Sequence, residues 1–290
     1  MRAAGTILLL GLGADLVGPL KYEKTGVVAE GKRWAWKDVA SITETDSAKA
    51  REDYQALAGQ AENLAALQAL VRDPLSKEVL GRVKPVLDRR PPSTALRPPF
   101  QGRWKAAVDA TRHHQLKGFA LFAIDFLRVD EQGKLFGGTG KDLEDYLGFD
   151  QEVRAAADGE VVQAEAGFED LAPGRIGKAE QANVVMLRHS DDEFTLYAHL
   201  KKGSVLVKAG DRVKTGQLVG RVGNSGASGT PHLHFTMLTP IGSDAGGRGW
   251  VSVPWRLHGF TLVDAGGTPC SVEVKQARLQ EGWVLLCPKT

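Results

Sequence analysis

Two histidines, His232 and His234, stand one residue apart in GTPHLHF, residues 229–235, in a chain with seven histidines in all. The run reads as an extended strand, where alternate side chains share a face. Both imidazoles then project together, while Leu233 and Phe235 turn the other way into apolar packing. Two neighbouring imidazoles repel if both are charged. They are compatible if neutral and holding a metal, or if one binds metal and the other handles a proton; the plainer alternative is a surface pair without a role. A catalytic zinc site takes three protein ligands from His, Asp or Glu and keeps a position open for water. Upstream, RHHQLKGFALFAIDF offers His113, His114 and Asp125. Asp125 interrupts an apolar strand from Phe119 to Val129, and a buried, unpaired carboxylate is costly enough to call for a cation. His199 ends another strand-like run, TLYAHL. His189, in RHSDDE, reads as a solvated loop residue, and His258 belongs to the C-terminal strands; neither is assigned a role.

The elements that must carry these residues are short. The apolar run Ile7 to Ala14 reads as a buried first strand; Arg2 before it suits a signal peptide, but Asp15 breaks the run and no small-x-small cleavage site comes after it. YEKTGVVAEGKRWAWKDVASI alternates apolar and polar residues about EGK, a hairpin pattern. From Ser47 to about Arg72 the apolar spacing becomes helical, with Asp46 or Ser47 as cap, and a shorter helix is expected from Ser76 to Leu87. RRPPSTALRPP, residues 89–99, denies ladder donors and reads as a linker. Beyond residue 100, FALFAIDFLRV, EVVQAEA, NVVMLRH, FTLYAHL, SVLVKAG, GRVGNSG and HLHFTML are β-rich runs divided by turn residues. Many short strands without long helices between them point to an antiparallel sandwich or barrel. From RGWVSVPWRLHGFTLV to the C-terminus the chain continues in strands.

Composition bounds the partners. The 37 basic and 35 acidic residues leave a net charge of +2, which gives no reason to invoke nucleic acid. No run reaches the ~18–20 apolar residues of a membrane span. Cys270 and Cys287 form no CxxC pattern and fit either one disulfide or two buried thiols.

Taken together, RHHQLKGFALFAID, VRAAADGEVV, TLYAHL and VKAGDRVKTGQLVGRVGNSGASGTPHLHF resemble the lysostaphin-type, or LytM-like, zinc metallopeptidases over about residues 97–240. The resemblance implies a mainly β fold, the barrel-sandwich hybrid called the duplicated hybrid motif, and endopeptidase action on peptidoglycan stem peptides or cross-bridges. It implies zinc held by His114, Asp125 and His234, with His199 and His232 as non-ligand catalytic histidines. The expected division is a strand and helix region over 1–92, the metallopeptidase domain over 93–245 and a small β extension over 246–290. Cell-wall chemistry implies the cell envelope or secretion.

Two features depart from the best-known members. His114 and Asp125 lie eleven positions apart instead of four, as in some divergent relatives, and adjacent His113 competes as first ligand. Residues 130–152, DEQGKLFGGTGKDLEDYLGFDQE, are an insertion expected as a long solvated loop at the groove rim. The glycines at 216, 220, 223, 226 and 229 are expected to serve tight turns and the close approach of an extended peptide. GNSGASG reads as a flexible rim or as plain turn chemistry. Two rivals remain: a non-catalytic wall-binding or regulatory module on the same fold, and a biotinyl or lipoyl carrier. The carrier would need Lys214 at a hairpin tip, and leaves four histidines and Asp125 unexplained.

Overall fold

The computed structural model describes residues 3–9, 15–44, 92–108, 120, 122–240, 250–253, 255–277 and 279–288. The helices expected over 47–72 and 76–87 lie outside them, as do His113 and His114. Within them the chain is mainly β, as its alternating patterns require. Its strands are β1 (Ala3–Leu9), β2 (Asp15–Glu23), β3 (Gly26–Ala29), β4 (Lys32–Ala35), β5 (Val39–Glu44), β6 (Gly102–Ala107), β7 (Ile124–Arg128), β8 (Glu152–Arg154) and β9 (Gly159–Glu165). They continue with β10 (Val184–Arg188), β11 (Phe194–Ala198), β12 (Arg212–Val213), β13 (Leu218–Arg221), β14 (Leu233–Pro240), β15 (Trp250–Val253), β16 (Leu257–Ala265), β17 (Pro269–Ala277) and β18 (Trp283–Cys287).

One long sheet runs β12-β9-β10-β11-β14-β7-β6-β18-β16-β17-β5-β1-β2-β3-β4, with β15 beside β14; β13 and β8 pair separately. The start of the first apolar run, residues 7–9, lies in a strand, β1, held between β2 and β5; the rest of the run is outside the described residues. The EGK hairpin is also present: Glu30 and Gly31 take φ of 50° and 75°, as a two-residue turn between β3 and β4 demands. The C-terminal strands do not trail off. β18 pairs with β6 on one side of the group, and β17 pairs in parallel with β5 on the other. Tyr22 and Trp36 meet Trp283 across this junction, with ring centroids 5.1 and 6.1 Å apart. Cys270 and Cys287 are both free thiols, on strands separated by β16.

SVLVKAG, residues 204–210, has the pattern of a strand but forms none in the structure. Its Leu206 donates to Val219 O at 3.1 Å, and Gly210 to Val161 O at 2.8 Å, so its bonds go to different strands and no ladder forms. The proline-rich segment is likewise no free linker. Leu96 is fully buried and bridges Leu257, Arg97 donates to Ala156 O, and Pro99 O accepts from Arg154. Glu193, 3% exposed, fastens the segment's start: its carboxylate accepts from Ser93 N at 2.6 Å, Ser93 Oγ at 3.0 Å, Thr94 N at 2.8 Å and Thr94 Oγ1. The prolines remove donors, and one buried acid collects those of Ser93 and Thr94.

Burial disfavours the Glu193 charge, but the Thr94 and Ser93 hydrogen bonds outweigh it and hold the carboxyl below its ordinary range. Glu193→Gln leaves a single acceptor oxygen for these donors and should cost about 2–4 kcal/mol in urea unfolding. A depressed folded-state value means that this stability is complete above the ordinary glutamate value of about 4.3, and is lost as pH falls through the folded value. The gap between wild type and Glu193→Gln should therefore close in acid.

Candidate active site

Sheet register assembles most of the site. On β14, His234 lies directly opposite Asp125 of β7 on one side and Ala198 of β11 on the other. Directly opposed residues share a face, so Asp125 and His234 must meet, and His232, two positions back, joins them. His234 Nδ1 is 2.9 Å from Asp125 Oδ1, and His232 Nε2 is 3.4 Å from the same oxygen. Leu233 and Phe235 take the opposite face, fully buried, where Phe235 packs on Tyr197 and Phe126. The histidine pair is therefore no surface pair; both side chains are about nine-tenths buried.

His199 arrives by a different device. It comes directly after Ala198, which shares His234's face, so strict alternation would send its ring to the wrong side. Its φ of 62° breaks the alternation. The left-handed backbone is costly for a non-glycine residue, and here it puts the His199 ring centroid 4.8 Å from that of His232 and 5.7 Å from that of His234. Asp125, His199, His232 and His234 thus converge on one buried spot. His113 and His114 lie outside the described residues.

The rings are held by defined partners. His199 Nδ1 is 2.7 Å from Ser225 O, and His232 Nδ1 is 2.8 Å from Thr230 O. A carbonyl only accepts, so each Nδ1 carries the proton, and Nε2 of the neutral ring is left to face the site. Burial, reinforced by His232 and His234, pushes His199 down to about 3, against the opposing pull of Ser225 and Asp125; it stays neutral at any ordinary pH. For His232 burial also opposes charge, but the Asp125 carboxylate and its hydrogen bond, with help from Thr230 O, carry the value upward.

Sequence reasoning missed the layer beneath. GNSGASG is not a flexible rim: Asn224, Ser225 and Ser228 are essentially inaccessible. Asn183 Nδ2 donates to Phe168 O and Leu200 O, its backbone N–H donates to Ser225 Oγ, and Ser225 Oγ donates to Leu200 O. Asn224 Nδ2 donates to Leu171 O, and Ser228 Oγ donates to Asn224 Oδ1 at 2.6 Å. Small polar side chains among glycines beside the two histidines were the only signal, and turn chemistry shares it. His189 is also tied down rather than solvated, by Asp158 O at 2.7 Å and Thr195 Oγ1 at 2.8 Å.

The insertion folds on itself. Leu147 donates to Leu135 O, Gly137 donates to Asp145 O, and Phe136 packs on Tyr146 at 5.1 Å. Asp145 accepts from Thr139 Oγ1 and Lys141 N, so the loop's own donors occupy it. At its end Gly148 runs beside Pro231, where a methyl group would stand 3.2 Å from the carbonyl oxygen.

Among the described residues no group of three His, Cys, Asp or Glu side chains is arranged to hold a metal ion, but Asp125 and His234 offer a pair of donors. Zinc bonds of about 2.0–2.1 Å to nitrogen and oxygen in a tetrahedron place donor atoms roughly 3.3 Å apart. The 2.9 Å between His234 Nδ1 and Asp125 Oδ1 is close to that spacing.

Residues 139–244 match the sequence model of Peptidase family M23, a span that takes in His199, His232 and His234. Glycyl-glycine endopeptidase ALE-1 of Staphylococcus capitis is 38% identical over 104 residues, 36% of this chain and 25% of that protein. Peptidoglycan DD-endopeptidase ShyC of Vibrio cholerae is 46% identical over 56 residues, 19% of this chain and 12% of that protein. The solution structure of lysostaphin aligns over 44% of this chain and 40% of that one, at 26% identity and a TM-score of 0.27. The chain spans a quarter or less of the length of these two curated relatives.

Proposed function

We propose, from the match of residues 139–244 to Peptidase family M23, that this chain is a lysostaphin-type, zinc-dependent endopeptidase cleaving peptide bonds of peptidoglycan in the cell envelope or outside the cell. What carries the reading is the convergence of Asp125, His199, His232 and His234 on one buried spot, with ring nitrogens left facing it. Asp125 and His234 would hold the metal, with His114 as third ligand and His113 as its competitor. Bound there, zinc would lower the pKa of a water molecule toward neutrality and polarise the scissile carbonyl.

The chain's own residues then handle protons. With each Nδ1 bonded to a carbonyl, Nε2 is the atom at which His199 and His232 exchange a proton. One takes the proton of the attacking water, and the other steadies the developing oxyanion or protonates the leaving amine. Burial of both rings removes competing water and strengthens these interactions.

Elemental analysis of the purified protein after zinc is supplied should find about one zinc per chain. Incubation with isolated peptidoglycan should release new amino termini. His114→Ala should lose both, and His113→Ala should keep both. Wild type that takes up no zinc would overturn the reading in favour of a module that binds the wall without cutting it.

A further inference from the structure

We propose that Ser228 is a positioning residue for His232: its hydroxyl, steered by Asn224, keeps the ring proton on Nδ1 and leaves Nε2 for the reaction. Two sets of groups compete for that proton. On the Nε2 side stands the Asp125 carboxylate, 3.4 Å away. On the Nδ1 side stand Thr230 O at 2.8 Å and Ser228 Oγ at 3.2 Å. A carboxylate is the stronger acceptor, so one neutral carbonyl is a weak counterweight and the second acceptor decides the balance.

Ser228 can serve as that acceptor only if its own hydrogen points elsewhere. Asn224 ensures this. Its Nδ2 donates to Leu171 O at 2.7 Å, which fixes the amide so that Oδ1 faces Ser228. Ser228 Oγ lies 2.6 Å from Oδ1 and 2.9 Å from Thr230 O, so its single hydrogen turns to these acceptors, the nearer Oδ1 first, and a lone pair is left for His232. The burial of Asn224 and Ser228 shields this chain of bonds from water. Ser228 touches neither substrate nor reacting atoms; it acts through the ring.

A rate readout rests on the endopeptidase reading, whereas a tautomer readout does not. Nitrogen-15 NMR of histidine-labelled, zinc-free protein, well above the ordinary histidine range, should show His232 as the Nδ1–H tautomer. Ser228→Ala should shift it measurably toward Nε2–H. Ser228→Thr and Ser228→Val have nearly the same shape and differ by the hydroxyl. The threonine variant should keep the wild-type tautomer and kcat; the valine variant should lose about 10- to 100-fold in kcat with KM and zinc content unchanged. Equal behaviour of the threonine and valine variants, or an unchanged tautomer in Ser228→Ala, would overturn the proposal. A tautomer shift in protein with no hydrolytic activity would leave the positioning intact and count against the endopeptidase reading alone.

Discussion

His234→Ala should yield a folded protein that no longer retains zinc and hydrolyses peptidoglycan about 10³-fold or more slowly than wild type. The fold should survive because His234's structural work is done by its backbone. β14 keeps its pairing with β7 and β11, and Leu233 and Phe235 still fill the opposite face. Nor is Asp125 stranded when the imidazole goes, since His232 Nε2 remains 3.4 Å from its carboxylate. The loss falls on the site. On the proposed ligand set two protein donors remain where three are needed, and polarisation worth several kcal/mol disappears. Circular dichroism should match wild type while elemental analysis finds little zinc. Full zinc retention by His234→Ala would remove it from the ligand set.

How far such a site can be read from sequence depends on which physical rule places each residue. His232 and His234 share a face because strands alternate, and that rule needs no partner. Asp125 stood out because a carboxylate between Ile124 and Phe126 has no cheap place in an apolar strand. That it lies opposite His234, 109 positions away, is a matter of register, which no local pattern encodes. His199 shows the limit more sharply. Alternation from Ala198 predicts the wrong face, and only a left-handed backbone corrects it. The proline-rich segment misled for a related reason. Proline content reports missing donors, but not that Glu193, a hundred residues on, gathers those of Ser93 and Thr94. The mainly β class, by contrast, came from many short alternating runs, each of which testifies independently.

Glycine spacing gave the same partial answer, and a set of alanine substitutions separates its causes. Gly223→Ala should be the most damaging of the set, about 3 kcal/mol or more, with hydrolysis lost alongside stability. A β-carbon there would collide with Lys201 Cα and the Asp170 carboxylate and come within 2.5 Å of Lys201 N. Two of these are backbone atoms, held by the bonds from Lys201 N to Arg221 O and from Gly223 N to His199 O, so they cannot yield cheaply. The approach that glycine permits at this position is thus that of the chain's own backbone, not of a substrate peptide. The strain would pass directly into the site, because His199 supplies the carbonyl bonded to Gly223, while Asn224 and Ser225 are its next neighbours along the chain. Gly216→Ala tests the other cause. With φ of 82° and open space around it, alanine there should cost only about 1–2 kcal/mol of left-handed strain and leave kcat unchanged. Gly229→Ala has neither problem, with only Ile176 side-chain atoms 3.7 Å and beyond, and should be near neutral. Urea midpoints and kcat for the three variants check this order. If Gly223→Ala and Gly216→Ala cost the same, backbone conformation, and not close packing beneath His199, is what fixes glycine at 223.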